Sequence, residues 1–181
     1  MAEARITRKP ETPEQLQAIM DRYEEKLLKY SASILHDGDR AYDAVQEVFL
    51  KLWNTGRLGE SRNGLASWLF TVCRNRCLDM VRKDSRMTRL NEQIENSRPD
   101  EGVTPPAAAE QHETTGQLAT AIADLPAGQQ EVLRLKFQND FTYRQIAEIT
   151  GQTVANVGFK LHCGLKKIRE KLSAAGLTGR D

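Results

Sequence analysis

Thr142-Tyr-Arg-Gln-Ile-Ala-Glu-Ile-Thr-Gly-Gln-Thr-Val-Ala-Asn-Val157 is the stretch that decides the architecture of this 181-residue chain. Thr142 followed by Gln145 forms a capping box, in which each side chain satisfies a free N–H at the start of a helix. Ala147 is small where a second helix must cross closely. Gly151, four positions later, supplies a residue free to take the left-handed turn conformation. Thr153 caps the next helix, and Val154, Val157, Leu161, Leu165, Ile168 and Leu172 give it an apolar stripe. Together these features read as a helix-turn-helix.

The other side of that second helix carries Ala155, Asn156, Phe159, His162, Cys163 and Lys166, with Lys160, Lys167, Arg169 and Lys171 nearby. A recognition helix has this layout: its first turns enter the major groove and its basic tail meets phosphates. Thr153, Asn156, Phe159, Lys160, His162, Cys163, Lys166 and Lys167 are therefore the candidate DNA contacts of this segment. The alternative is an ordinary helical hairpin whose lysines are merely solvated.

Upstream, almost every periodic segment also reads as helix. Thr12-Pro13-Glu14-Gln15 is a cap followed by proline at the first helical position, and Leu16, Ile19, Met20, Tyr23, Leu27 and Tyr30 recur on one face. His36-Asp37-Gly38-Asp39 breaks the run. A second helix is expected over about Ala41–Trp53, a loop from Asn54 to Gly64, and a third helix over about Leu65–Lys83. Apolar periodicity fades from about Ser85, and Pro99, Pro105 and Pro106 then stand among Glu92, Glu95, Asp100, Glu101, Glu110 and Glu113. This reads as a flexible acidic linker. The expected fold class is all-α, with two small helical domains, residues 12–90 and 117–175, joined by a linker at 91–116.

The second helix has two organised faces. Val45, Val48, Phe49 and Leu52 make a core stripe, while Asp43, Gln46, Glu47 and Leu50 repeat the same spacing elsewhere, with Trp53 beyond them. An acidic-amide face bordered by exposed apolar groups suits docking onto a basic partner helix. A simply solvated face is the competing reading. In the third helix, Leu65, Leu69, Val72, Cys73 and Met80 define the core side. Trp68, Asn75, Asp79 and Arg82 fall along one edge, Arg74 lies farther round, and Arg86 and Arg89 extend the positive end. Aromatic, amide and arginine groups together are what unstacked single-stranded bases require. Trp68 as plain core is equally compatible with the spacing. Arg76 points toward the apparent core and must snorkel or find a partner.

Composition narrows the classes further. The chain is 39% hydrophobic and 28% charged with a net charge of +1, enough apolar material for helical cores. No run approaches the ~20 apolar residues of a membrane span, and Met1–Glu11 has no apolar stretch of a secretory signal. A cytoplasmic location is expected, and it suits the three cysteines, Cys73, Cys77 and Cys163, which form no paired framework. Cys73 and Cys77 lack a nearby third ligand and read as packing residues, and His162-Cys163 diverge by about 100° on a helix. No phosphate loop, nucleophile motif or carboxylate pair is present, so no catalytic residue, metal or cofactor is expected. His36 reads as a cap or hinge.

Asp43-Ala-Val-Gln-Glu-Val-Phe-Leu-Lys-Leu-Trp53, then Trp68-Leu-Phe-Thr-Val-Cys-Arg-Asn75 with Asp79 and Arg82, resembles the conserved block of extracytoplasmic-function sigma factors. Leu125-Pro-Ala-Gly-Gln-Gln-Glu-Val132 and the helix-turn-helix resemble that family's second domain. The resemblance runs from about Leu16 to Leu172, and it implies a promoter-recognition subunit of bacterial RNA polymerase. It implies that Asp43, Gln46, Glu47, Leu50 and Trp53 dock on the polymerase clamp. By the same likeness the loop from Asn54 to Gly64 captures a flipped base of the −10 element, Arg57, Arg62, Trp68, Arg74, Asn75 and Arg82 hold that single-stranded element, and the recognition helix reads the −35 element. Core RNA polymerase and promoter DNA are the implied partners, with an anti-sigma factor as a further one. The family's basic residue and serine are replaced here by Gly158 and Phe159, and an arginine by Cys163, so −35 specificity does not carry over. Gly158 points to a close approach or bend. Two rival readings are a stand-alone helix-turn-helix regulator with a helical sensor domain, and a thiol- or metal-dependent helical enzyme.

Overall fold

The structure, a computed structural model, describes residues 12–57, 62–92 and 113–174. These form seven helices: α1 Pro13–Leu35, α2 Gly38–Thr55, α3 Arg62–Glu92, α4 Glu113–Ala123, α5 Ala127–Phe137, α6 Tyr143–Thr150 and α7 Val154–Ala174. No strand occurs among the described residues, so the fold is all-α. The chain divides into two compact units, one built from α1, α2 and α3 and the other from α4, α5, α7 and most of α6. The linker carboxylates of Glu95, Asp100 and Glu101 lie outside the described residues, as do the side chains of Arg62 and Arg89.

In the first unit the three helices pack against one another around a single apolar centre. Thr12 caps α1 by accepting from the Gln15 N–H at 3.3 Å. The run then buries Tyr23, Leu27, Tyr30 and Leu35, while Leu16, Ile19 and Met20 are only half-buried. His36 ends α1 in the left-handed conformation, φ 54°, and donates its N–H to the Ala32 carbonyl. Asp37 restarts the chain at once as the cap of α2, accepting from Arg40 N–H at 3.0 Å. The break is thus two residues long, and α2 begins three residues earlier than Ala41. From α2 the core takes Ala41, Ala44, Val45, Val48, Phe49 and Leu52, and from α3 Leu65, Leu69, Phe70, Cys73 and Cys77. Phe70 stacks obliquely on Tyr30 with ring centroids 5.2 Å apart.

The third helix corrects the expected boundary near Lys83: it runs on to Glu92. Residues 81–87 are all exposed, so no apolar stripe marks this part of the helix. Helix needs no stripe to persist where neither glycine nor proline intervenes, and none does between Gly64 and Pro99. An ion pair between Arg40 of α2 and Asp84 anchors the extension. The second boundary also shifts, since α4 starts at Glu113 within the expected linker.

In the second unit, α7 packs on α4 and α5. Its buried face is Val157, Leu161, Gly164 and Ile168, narrower than the expected stripe: Val154 is 49% and Leu165 42% exposed. Gly164 is the position of closest approach. A Cβ there would lie 3.1 Å from Leu133 Cδ1 of α5, so the missing side chain is what lets the two helices meet. At Gly158 a Cβ would be 3.8 Å from the Tyr143 ring, an ordinary contact, so the close approach expected at that glycine is found at Gly164 instead. Between α4 and α5, Gln130 Nε2 donates to the carbonyls of Ala123 and Leu125 at 2.9 and 2.8 Å and ties down the turn at Pro126.

Candidate nucleic-acid interface

Local chemistry holds the helix-turn-helix in the form its sequence encodes. Thr142 N–H donates to Gln145 Oε1 at 2.9 Å, and Gln145 N–H donates to Thr142 Oγ1 at 3.3 Å, which completes the reciprocal box. Ala147 is buried, and Gly151 turns the chain at φ 68°. Asn156 N–H donates to Thr153 Oγ1 at 3.2 Å, capping α7. With Val157, Leu161 and Ile168 buried, α7 leaves Thr153, Asn156, Phe159, His162, Lys166 and Lys167 exposed.

Phe159 is 67% exposed, a large ring standing in solvent on the helix that carries the basic groups. Two neighbours of this face are less open. Cys163 is half-buried, and the Lys160 amine folds back to within 3.1 Å of where a Gly128 Cβ would sit, at the start of α5. Asn156 Nδ2 already donates to Gln152 Oε1 at 3.0 Å, and Lys166 lies 4.0 Å from Glu170. The exposed pair adds little to stability, so Lys166 is available to an external anion.

On the first unit, α2 presents the acidic-amide face. Leu50 is 61% exposed, Asp43 and Glu47 are exposed, and Gln46 and Trp53 are half-buried. The face is not merely solvated. Arg76 of α3, the cation whose partner the sequence left unnamed, donates through Nη2 to Glu47 Oε1 at 2.6 Å. The Arg76 Nε is buried without a partner, so this carboxylate is the principal anchor of the guanidinium. The sequence flagged the cation; it could not flag the carboxylate, which comes from another helix.

Along α3, Asn75 is exposed, and Arg82 is exposed beside Asp79, with Nη1 3.4 Å from Oδ1. Arg74 is half-buried. Trp68 is also half-buried, neither core nor free surface, and the Arg57 guanidinium carbon lies 5.3 Å from its ring centroid. The structure thus brings Arg57 and Trp68 together although they are eleven positions apart.

Cys73 and Cys77 belong to the core. Ser31 Oγ lies 2.9 Å from Cys73 Sγ, and the hydrogen bond from Cys77, reinforced by burial, pushes the Cys73 thiol up, away from the reactive thiolate. Among the described residues no three of His, Cys, Asp or Glu cluster as metal ligands, and no helix is long and apolar enough to cross a membrane.

Two family models match the chain: Sigma-70 region 2 over residues 19–87, and Sigma-70, region 4 over residues 115–168. Among curated relatives, the chain is 29% identical over 137 residues to the ECF RNA polymerase sigma factor RpoE of Cereibacter sphaeroides, covering 74% of this chain and 73% of that one. It is 27% identical over 164 residues to the ECF RNA polymerase sigma factor SigL of Mycobacterium tuberculosis, covering 90% and 92%. The fold is shared with solved structures. The sigma factor RpoE crystallised with the anti-sigma factor NepR from Bartonella quintana has a TM-score of 0.69 at 22% identity, covering 88% of this chain and 98% of that one. CnrH in complex with the cytosolic domain of CnrY has a TM-score of 0.58 at 17% identity, covering 91% of each. The two region models together span more than half of the chain, on the two units already distinguished by packing, and the chain belongs to the extracytoplasmic-function sigma factors.

Proposed function

We propose that this chain directs core RNA polymerase to a set of promoters, with Asp43, Gln46, Glu47, Leu50 and Trp53 of α2 docking on the polymerase. Arg57, Arg62, Arg74, Asn75 and Arg82, with Trp68 among them, hold the melted −10 strand. Thr153, Asn156, Phe159, His162, Lys166 and Lys167 face the −35 duplex, with Lys160 and Cys163 at the margin. Residues 12–90 and 117–175 act as the two DNA-contacting domains, and 91–116 connects them. Chemistry at the growing RNA belongs to the polymerase, and this chain supplies recognition and strand capture.

The observation that carries the reading is Leu50, 61% exposed among Glu47 and Asp43 on a helix whose other face is fully buried. A large apolar side chain ringed by polar groups marks a partner surface, and a regulator that bound operator DNA alone would have no use for it. One solved structure that shares the fold pairs a sigma factor with the anti-sigma factor NepR, which supports an anti-sigma protein as a further partner here.

Strand capture is tested with Asn75→Ala. Asn75 is exposed, so the variant should fold normally. It should form open complexes poorly on duplex promoters and recover in part on a pre-melted template. Equal loss on both templates would contradict the assignment.

A further inference from the structure

Glu47 of α2 and Arg76 of α3 meet where the two helices pack on each other. The next residue along each helix, Val48 and Cys77, is fully buried, so the pair stands at the rim of the seam. Arg76 Nη2 donates to Glu47 Oε1 at 2.6 Å, and the Arg76 side chain is the more enclosed of the two, 38% exposed against 49%. The Arg76 Nε is buried without an acceptor, so the guanidinium is rooted in the seam and Glu47 is the anion that its outer amine meets.

A guanidinium is a planar fork whose charge persists at any working pH. Half-enclosed between two helices, it keeps few rotamers, whereas a glutamate on an open helix face samples many. The pair therefore selects one placement of the Glu47 carboxylate. An ionised carboxylate offers about four acceptor positions on its two oxygens. Arg76 takes one of them on Oε1, which leaves Oε2 open to a basic group from outside. Leu50, 61% exposed, lies three residues farther along α2, so the fixed carboxylate and the apolar side chain are presented together.

We infer that Arg76 is a positioning residue for polymerase docking: it acts through Glu47, holding the carboxylate in the orientation that a basic group of the polymerase meets. The inference rests on the docking reading above and adds to it a residue from a different helix. Ordering one rotamer-rich side chain at an interface lowers affinity by about two- to twelvefold. Arg76 meets that cost for Glu47 before the partner arrives. Its own positive charge would repel a basic partner, but Glu47 offsets that charge at close range and solvent screens the remainder.

The test is titration of labelled core polymerase with the full chain, arranged as a double-mutant cycle. Arg76→Met should weaken polymerase binding about fivefold, within the range for one side chain that must be ordered on docking. In a Glu47→Ala background the same change should have no further effect. Arg76→Lys, which keeps a cation on a long stem, should recover most of the lost affinity. Arg76→Gln is too short to reach Glu47, should match Arg76→Met, and covers the case in which Arg76→Met does not fold. Binding of a pre-melted promoter fragment by the fully assembled holoenzyme should stay at the wild-type level in all of these variants. That readout reports on α3 itself, which a merely structural loss at Arg76 would disturb.

Wild-type polymerase binding by both Arg76→Met and Arg76→Gln would overturn the inference, and tighter binding would make Arg76 a competitor for Glu47, which overturns it too. An undiminished loss in the Glu47→Ala background would make Arg76 an independent contact. Glu47→Ala alone separates the levels. If it is impaired while the Arg76 variants bind normally, the inference falls and the docking reading stands; if Glu47→Ala also binds normally, both fall.

Discussion

Reversing the charge of Glu47 should affect two properties, and the structure allows them to be separated. Glu47 meets Arg76 at 2.6 Å with side chains 49% and 38% exposed. A partly exposed pair of this kind contributes about 0.2–1 kcal/mol after solvent screening. Glu47→Lys removes the attraction and adds a repulsion, so the expected loss is about 1–2 kcal/mol. For a domain of this size that lowers Tm by roughly 4–16 °C. The same substitution at the polymerase surface removes a central contact, where losses reach about 2 kcal/mol or more, roughly 30-fold in affinity. Glu47→Arg combined with Arg76→Glu restores the internal attraction with the charges exchanged. Calorimetry should show Tm returning most of the way to wild type, while titration with labelled core polymerase should still show affinity down by about 30-fold. If the exchange restores both stability and polymerase binding, Glu47 serves only the internal pair and the docking assignment is wrong.

Three further experiments check the structure directly. Phe159→Ala should relax preference at one or two −35 positions by about 1–3 kcal/mol, because an exposed ring can pack on a thymine methyl but cannot hydrogen-bond a base. Lys166→Ala should weaken all sequences alike and flatten the salt dependence; a promoter-library selection separates the two patterns. Gly158→Ala should raise the melting temperature of the second unit, since the added methyl meets only ordinary contacts and helix propensity gains about 1 kcal/mol. Gly164→Ala should lower it, because its Cβ falls 3.1 Å from Leu133 in a buried contact; thermal melts of the two variants decide this. Iodoacetamide on the native protein should label half-buried Cys163 and spare buried Cys73 and Cys77, with mass spectrometry reading the sites.

The features legible in the sequence are those whose chemistry is local. The caps at Thr12, Thr142 and Thr153 and the turn at Gly151 each depend on residues within four positions, and each forms as read. Features that depend on a partner helix were not legible. Val154 and Leu165 have the right identity and spacing for the core of α7, yet they stand exposed because the helices packed against α7 cover a narrower strip. Gly164 looks like a weak point in a helix until Leu133 of α5 is found against it. The pair of Arg76 with Glu47 joins residues 29 apart in sequence, and Arg57 lies over Trp68, eleven positions further on. In each case the residue types announce a need and the tertiary structure supplies the partner. The end of α3 escaped notice for a different reason: helix sustained by propensity, on a segment exposed on every side, leaves no apolar period to detect.

The central claim, promoter-specific initiation, is tested most directly by run-off transcription. Purified core polymerase is combined with this protein on a fragment library of the genome that encodes it. Discrete new start sites are expected that require the chain, share spaced −10 and −35 elements, and disappear with Glu47→Arg/Arg76→Glu. Tight binding to duplex fragments without polymerase, with no start site created in its presence, would contradict promoter-specific initiation.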